Sequence, residues 1–399
     1  MSVDLVTHRP RIMLVAGEPS GDALGGQLIR GLRFASNGEV EIFGVGGPHM
    51  RSAGLQSLFS LDDTSVMGLR EVLPRLPRIV RRIRQAASFA KAMRPDVAVM
   101  IDSPDFTHHV AKRIRRIAPD IRLIDYVAPQ VWASRPGRAK GMASYFDHVL
   151  CLLPFEVPIF EKAGLKATFV GHPVVERVPT MGQGAAFRIQ HALAPGERIL
   201  LLLPGSRSSE IRFLWPVFRS AIEKTEAAVG ALTIVLPTVP TVSNLVRAHV
   251  AEWGRRVIVV EDATQKSGAF DAADVALAAS GTVSTELAMS ATPMVIGYRV
   301  GAFTAAIARP FIQVPFITLV NLILEREAIP EFVQEKCNAE NLSSELIKLL
   351  TNHAARVEQV TASAQAIRAL GLGDETPSLR AARTILKLLR EPKLTGGPV

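Results

Sequence analysis

The stretch RIMLVAGEPSGDAL, residues 11–24, indicates the fold class of the chain. An apolar run is followed by a glycine turn and then by a helical pattern, which is how nucleotide-binding α/β domains begin. The turn is neither G-x-G-x-x-G nor a P-loop, and it carries two acids, Glu18 and Asp22, that a phosphate-binding loop would exclude. We therefore interpret the two carboxylates as acceptors of hydrogen bonds from hydroxyl groups, in a turn that does not bind phosphate.

The same alternation of apolar runs and helical patterns continues along most of the chain, in two series. Strands are predicted at 11–16, 41–45, 97–101, 122–127 and 147–152, and then at 198–204, 231–238, 256–261, 275–280 and 293–299. This order predicts two doubly wound, Rossmann-like parallel sheets, with the ligand site where the carboxyl ends of their strands face each other. Prolines and glycines at 172–196 mark a hinge. We expect domains at 1–175 and 176–345, and a helical tail at 346–399 that crosses back to the first domain or to a dimer partner.

Composition limits the partners and the compartment. The chain has 399 residues, a net charge of +9 and 48% hydrophobic residues, so a large core and anionic partners are expected. Two distant cysteines, Cys151 and Cys337, fit a reducing compartment. The first residues hold no apolar stretch long enough for a signal peptide, so we expect none. No apolar run reaches the roughly 18 residues that a membrane span needs. Aromatic residues make up only 6%, which disfavours a binder of single-stranded nucleic acid.

A phosphate site is predicted in the second series, at LLLLPGSRSSEI, residues 200–211. Gly205 frees the turn after a buried strand, and Ser208 or Ser209 can cap the next helix. Free N–H groups at a helix start favour an anion, and the Arg207 guanidinium adds a positive charge that can donate two parallel hydrogen bonds. The alternative is an ordinary strand–helix turn with a surface arginine.

The motif AASGTVSTE, residues 278–286, ends another predicted strand and places Glu286 in the first or second turn of a helix. A carboxylate at this position suits the two hydroxyls of a ribose. The alternative is that Glu286 only complements the helix dipole.

The motif MIDSPDFTHH, residues 100–109, presents Asp102 and Asp105 in a loop after a strand. Either aspartate can serve as a general base for a hydroxyl, and either can be a helix cap. His108 and His109 raise the question of a metal, but no further ligands lie at a recognisable spacing, so we expect none.

A basic amphipathic segment, residues 66–84, has apolar residues at helical spacing with six arginines among them. This pattern predicts contact with an anionic membrane surface, and the alternative is a domain helix with a solvated arginine face. Pro74 and Pro77 predict a bend and a helix that begins near Pro77. In YVAPQVWASRPGR, residues 126–138, Trp132 is either a platform for a sugar or, as is more frequent, a buried side chain.

Nine motifs follow one another along the chain, namely AGEPSGD, GVGGPHM, VMG, SPDF, YVAPQVWA, LPFE, VGHP, LLPGSR and ASGTVSTE. In this order they resemble the lipid-A-disaccharide synthase family over nearly the whole chain. The resemblance implies a GT-B glycosyltransferase that works without a metal or another cofactor. It implies an inverting transfer from UDP-2,3-diacylglucosamine to 2,3-diacylglucosamine 1-phosphate, which yields the β-1,6-linked disaccharide 1-phosphate and UDP. It also implies a homodimer with exchanged C-terminal segments, attached peripherally to the cytoplasmic face of the bacterial inner membrane.

The resemblance further implies roles for single residues. Asp105 would be the base that deprotonates the acceptor hydroxyl, with Glu18 as the other candidate and Asp96 as a further catalytic carboxylate. Residues that would bind UDP are Gly205, Ser206, Arg207, Glu210, Ser280, Gly281, Thr282 and Glu286. Residues of the acceptor region would be Ser20, Asp22, Met67, Trp132 and Asn321. Residues that would enter the membrane are Leu69, Val72, Leu73, Arg75, Leu76 and Arg78.

Two other functions remain open. A UDP-N-acetylglucosamine 2-epimerase would have the same two domains, but it has no reason for the basic apolar segment. A basic RNA- or nucleotide-binding module without catalysis is disfavoured by the low aromatic content and by carboxylates at strand ends, which repel phosphate backbones. We therefore expect no nucleic-acid partner.

Overall fold

The computed structural model of the protein describes residues 9–63, 69–132, 137–176, 182–301 and 315–392, with the side chains of 69–75 and 263 left out. The described chain divides into two compact units, residues 1–173 with 371–399, and residues 174–370. Each unit contains one six-stranded sheet in which every pairing is parallel. The predicted fold class of two doubly wound α/β domains is therefore confirmed.

The strands of the described ranges follow the chain in two sets of six. They are β1 (Arg11–Ala16), β2 (Glu41–Val45), β3 (Val97–Ile101), β4 (Arg122–Tyr126), β5 (His148–Cys151), β6 (Ala167–Phe169), β7 (Ile199–Leu203), β8 (Thr233–Pro237), β9 (Val257–Val260), β10 (Val275–Ala279), β11 (Met294–Tyr298) and β12 (Glu331–Val333). The first sheet has the order β2-β1-β3-β4-β5-β6, and the second has the order β12-β11-β10-β7-β8-β9. The ten predicted strands all occur, whereas the three-residue edge strands β6 and β12 carry too little pattern to be predicted.

The helices flank these sheets. They are α1 (Pro19–Ala35), α2 (Pro48–Ser52), α3 (Leu69–Met93), α4 (Pro104–Ile117), α5 (Gly137–Met142), α6 (Glu156–Lys162), α7 (Gly184–Gln190), α8 (Ser208–Val229), α9 (Ser243–Trp253), α10 (Ala263–Ala272), α11 (Thr282–Met289), α12 (Leu319–Leu324), α13 (Ala339–Thr351), α14 (His353–Ala369) and α15 (Pro377–Arg390). Short 3₁₀ turns lie at Leu61–Asp63, Pro173–Glu176 and Gln334–Lys336. None of the described helices is both long and apolar enough to cross a membrane.

Burial explains why the strands are apolar on both faces. All residues of β3, β4, β7 and β10 are buried, because helices cover both sides of each parallel sheet. The last helix, α15, packs on α1 within the first unit. Gly31 makes this close approach possible, because a Cβ at that position would lie 2.9 Å from the carbonyl oxygen of Ser378. In this single chain, the end of the predicted tail therefore packs on its own first unit.

Helix α3 corrects one prediction. It runs without interruption through Pro74 and Pro77, where a bend and a new helix start were expected. Each proline removes one N–H donor, so the carbonyls four residues earlier lose their intrahelical partners. The C-terminal half compensates by packing, because Ala86, Ala87 and Ala90 are fully buried in the core of the first unit.

Candidate active site

Both sheets have a topological switch point, at which chain connections leave in opposite directions. In the first sheet it lies between β1 and β3, and in the second between β7 and β10. Ligands of open α/β sheets bind outside the carboxyl ends of the strands at such points. The predicted motifs follow these four strands directly, so the fold places each of them where a ligand binds.

The loops after β1 and β3 are joined by two hydrogen bonds. The Ser103 hydroxyl donates to Glu18 Oε1 at 3.1 Å, and the Ser20 hydroxyl donates to Asp102 Oδ2 at 2.6 Å. Glycine is required at position 17, since a Cβ there would lie 2.7 Å from Ser103 Oγ. The first switch point therefore presents two carboxylates, those of Glu18 and Asp102, held side by side by hydroxyl groups.

Asp102 has an unusual backbone. Asp102 and Ser103 have φ angles of 55° and 47°, so two successive non-glycine residues are left-handed. Such conformations cost on the order of 1 kcal/mol or more each and concentrate at functional sites. The Thr107 hydroxyl donates to the carbonyl oxygens of Asp102 and Ser103, at 2.7 and 3.0 Å, and holds the turn. Sequence reasoning weighed Asp102 but did not select it, because nothing local in the sequence signals this strained turn.

Asp105 is the second residue of α4 and is exposed. Its carboxylate makes no hydrogen bond or ion pair with any other described residue. The N-terminal end of the α4 dipole favours an anion here. Asp105 therefore lies three residues beyond the switch point, on the first turn of the helix, with its carboxylate unpaired among the residues that the structure describes.

Two predicted carboxylates have other positions. Asp22 is 1% exposed, and its oxygens accept the backbone N–H groups of Gly47, His49 and Met50 at 2.7–3.0 Å. Asp22 thus anchors the start of α2, and no oxygen reaches the surface to meet a sugar. Asp96 precedes β3 and accepts the N–H of Arg11 at 2.7 Å, at the amino end of the sheet. The length of β3, about 16 Å for five residues, separates it from the carboxyl edge.

The second switch point contains a loop closed by Glu210. The Glu210 carboxylate accepts the N–H groups of Ser206 and Arg207, at 2.9 and 3.2 Å, and the Arg207 guanidinium at 2.9 Å. The expected cap of α8 by Ser208 or Ser209 does not form. Arg207 is the N-cap residue, and the Glu210 side chain accepts the backbone N–H of Arg207. The guanidinium remains exposed, with 76% of the side chain accessible.

Gly205 is required at the start of this loop. Its φ is +115°, and a Cβ would lie 2.3 Å from Glu210 Oε2. The glycine therefore allows both the left-handed turn and the closure by Glu210.

The loop after β10 continues the same edge. Gly281 is the N-cap of α11 and Thr282 its first residue, and both are exposed. The Ser280 hydroxyl donates to the carbonyl oxygen of Ile317 at 3.2 Å. Glu286 is half-buried and forms an ion pair with Lys266. This partner was not predicted, and a ribose would have to share the Glu286 carboxylate with it.

Asn321 is the centre of a buried set of hydrogen bonds. It is fully buried, and its amide donates to Ile329 O and Glu331 Oε1, both at 2.8 Å, and accepts the N–H groups of Ala328 and Ile329. Its four side-chain hydrogen bonds are all used, and they hold the 325–331 loop.

Trp132 is half-buried at the end of its loop. Its indole N–H donates to Glu156 Oε1 at 3.1 Å, and its ring meets Phe155 edge-on. Burial raises the pKa of Glu156 to about 7. This anchoring favours the structural alternative for Trp132.

The basic apolar segment is described only in part. Met67 lies outside the described residues, and the side chains of Leu69, Val72, Leu73 and Arg75 are likewise not described. Further along α3, Leu76 and Val80 are 43% and 41% exposed. Arg78, whose side chain is also exposed, lies 3.6 Å from Asp63. This part of α3 thus carries exposed apolar and cationic side chains together.

Within the described ranges, no three His, Cys, Asp or Glu side chains converge as a metal site. Cys151 and Cys337 are buried free thiols. Burial raises the pKa of the Cys337 thiol to about 11 and that of Cys151 further still, so neither is a nucleophile at neutral pH.

The sequence model of the family described as lipid-A-disaccharide synthetase matches residues 12–382 of the chain. A protein of Rhodospirillum centenum named lipid-A-disaccharide synthase is 46% identical over 378 residues, which cover 95% of this chain and 94% of the relative. A solved UDP-GlcNAc 2-epimerase from Neisseria meningitidis, bound to UDP-GlcNAc, has a TM-score of 0.60 at 11% identity and covers 94% of this chain and 100% of its own. MurG of Acinetobacter baumannii has a TM-score of 0.58 at 14% identity, with coverages of 95% and 99%. At such identities the two structures share the fold alone, and that fold is the predicted GT-B class.

Proposed function

Because the chain belongs to the lipid-A-disaccharide synthetase family of UDP-sugar-dependent glycosyltransferases, we propose that it joins UDP-2,3-diacylglucosamine to 2,3-diacylglucosamine 1-phosphate. The products are the β-1,6-linked disaccharide 1-phosphate and UDP. One observation carries the proposal beyond family membership, namely the division of charge between the two switch points. The first presents carboxylates, which suit hydroxyls, and the second presents an exposed guanidinium at a helix start, which suits a diphosphate.

The donor binds at the second switch point. Arg207 contacts the diphosphate, with the amino ends of α8 and α11 directed at the same group. Gly205, Ser206 and Glu210 shape this loop, and Glu286 with Lys266 holds the ribose hydroxyls. Arg207→Ala should weaken UDP binding about tenfold or more, as measured by calorimetry, because a charge-assisted contact is lost. Unchanged affinity would remove Arg207 from the site.

The reaction is a direct displacement with inversion. The acceptor 6-hydroxyl attacks the anomeric carbon, its proton passes to a carboxylate, and the bond from the anomeric carbon to the UDP oxygen breaks. Arg207 and the helix amino ends stabilise the charge that develops on UDP, so the step needs no metal. Geometry supports Asp102 over the predicted Asp105 as the base, since Asp102 lies at the switch point in a strained turn, oriented by Ser20.

Isosteric amides test this assignment. Asp102→Asn should lower turnover by about 10²–10⁴ with UDP affinity retained, while Asp105→Asn should stay within tenfold of wild type. Turnover is read as UDP release that depends on the lipid acceptor. A large loss in Asp105→Asn alone would return the role of base to Asp105, and a large loss in Glu18→Gln alone would assign it to Glu18. UDP release without acceptor would contradict the transferase function itself.

The exposed apolar and cationic side chains of α3 support peripheral binding to an anionic membrane, where both lipid substrates reside. Attachment to the cytoplasmic face of the bacterial inner membrane and a homodimer are proposed with the family, and no nucleic-acid partner is proposed. The epimerase alternative loses its support, since the solved epimerase resembles this chain in fold only.

A further inference from the structure

A pocket of about 420 Å³ lies on the first unit between α4 and α5. Its wall includes Asp105, His109 and Lys112 from α4, Arg138 from α5, and Tyr145. Volumes of about 300–1,000 Å³ are typical of small-molecule sites, so this pocket has room for a phosphate together with the sugar that carries it.

The two cations of this pocket, Lys112 and Arg138, form no ion pair with a carboxylate of the described residues. Elsewhere in the first unit, Arg82 and Arg115 form ion pairs of 2.5 and 2.6 Å with aspartates. Among the described residues, Arg138 forms no ion pair or hydrogen bond, and Lys112 Nζ lies over the face of the Tyr145 ring, 5.0 Å from its centroid. Two basic side chains therefore line one cavity, and neither donates a hydrogen bond to another described residue.

A buried chain of polar groups lies behind the pocket. Asp125 is 1% exposed, its oxygens accept no hydrogen bond from the described residues, and His108 Nε2 lies 3.4 Å from Oδ1. His108 Nδ1 lies 3.1 Å from the Tyr145 hydroxyl oxygen. With the His108 tautomer whose Nδ1–H donates to the Tyr145 hydroxyl oxygen, the Tyr145 hydroxyl hydrogen is free to point into the pocket. The wall then offers donors from Tyr145, Lys112 and Arg138.

We propose that this pocket binds a phosphate monoester, with Lys112 and Arg138 as its charged contacts and Tyr145 as a neutral donor. The assignment rests on the proposed function, in which the acceptor carries a phosphate on the sugar carbon remote from its reacting hydroxyl. The pocket begins at Asp105, three residues from Asp102. A phosphate held there anchors one side of the sugar ring and leaves the hydroxyl on the other side for the base.

The test is a calorimetric titration of the full chain with glucosamine 1-phosphate, in saturating UDP so that the Arg207 site is occupied. Lys112→Met and Arg138→Met, singly and together, remove the two charges. Arg113→Met and Lys140→Met are matched controls, since these residues are exposed on the same two helices and do not line the pocket. Each pocket variant should weaken binding about tenfold, and both controls should bind as the wild type does. Unchanged melting temperatures would show that the variants are folded.

Several results would overturn the proposal. These are absence of binding by the wild type at millimolar sugar phosphate, equal affinity in the double variant, and equal loss in the controls. Inorganic phosphate is titrated in parallel, and affinity as high as that of the sugar phosphate would contradict the assignment to the acceptor. If the wild type binds the sugar phosphate here but forms no disaccharide from the lipid substrates, the proposed function fails and the phosphate site stands.

Discussion

Gly205→Ala tests whether the closure of the β7–α8 loop by Glu210 organises the UDP site. The added Cβ would lie 2.3 Å from Glu210 Oε2 and 2.6 Å from Glu210 Cβ, so Glu210 must move. Its bonds to the N–H groups of Ser206 and Arg207 are then lost, at about 1.5 kcal/mol for each bond to a charged group. The left-handed φ of +115° adds strain of about 1–3 kcal/mol.

The loss of loop organisation should appear in UDP affinity. A loss of about 3 kcal/mol from the two hydrogen bonds corresponds to a dissociation constant for UDP that is roughly a hundredfold higher, as measured by calorimetry. Gly230→Ala is the matched control, since Gly230 ends the same helix with a φ of +88° and a Cβ there would meet nothing within 4 Å. The control should show the backbone strain, as a lower melting temperature, with UDP affinity unchanged.

The reasoning is refuted if Gly205→Ala binds UDP within threefold of Gly230→Ala. That result would mean either that Glu210 moves without cost or that UDP does not use this loop. Arg207→Ala separates the two explanations, because it removes the contact with the diphosphate and leaves the backbone of the loop intact.

Three further outcomes are expected. Asn321→Ala should lower the unfolding free energy by about 2–4 kcal/mol, since the buried N–H of Ile329 and the partly buried N–H of Ala328 lose their acceptor, while folded protein keeps its UDP affinity. Burial raises the pKa of Glu156 from 4.5 in the unfolded chain to about 7 in the folded protein. The protonated side chain therefore stabilises the folded state fully below pH 4.5, and about 3 kcal/mol of unfolding free energy is lost as the pH rises from there through 7. Urea unfolding of Glu156→Gln across pH 4–8 should lack this fall. Leu76→Ser with Val80→Ser should reduce sedimentation with anionic liposomes several-fold, whereas Phe34→Ser, at a residue 70% exposed on α1, should not; equal loss would assign the effect to general surface hydrophobicity.

Local patterns were sufficient for the fold. Apolar runs that alternate with helical patterns predicted ten of the twelve strands in the described part of the chain, because strands buried on both faces must be apolar throughout. The predicted bend at the prolines of α3 was wrong. Local propensity includes the hydrogen bonds that proline removes, but it does not include the packing of Ala86, Ala87 and Ala90 against the core. The chain positions of both candidate sites also followed from sequence, because a motif at a strand end must lie at the carboxyl edge of a parallel sheet.

The sequence by itself determined the fold class, the family and the loops that carry charge, because each of these depends on residues close together in the chain. Tertiary structure decided which carboxylates are available. Asp22 and Asp96 bind backbone N–H groups contributed by distant segments, whereas Asp102 lies beside Ser20, 82 residues away in the chain. The sequence alone does not distinguish a carboxylate that anchors a helix from one that faces a substrate. Burial and long-range hydrogen bonds, which exist only after folding, separate the two roles.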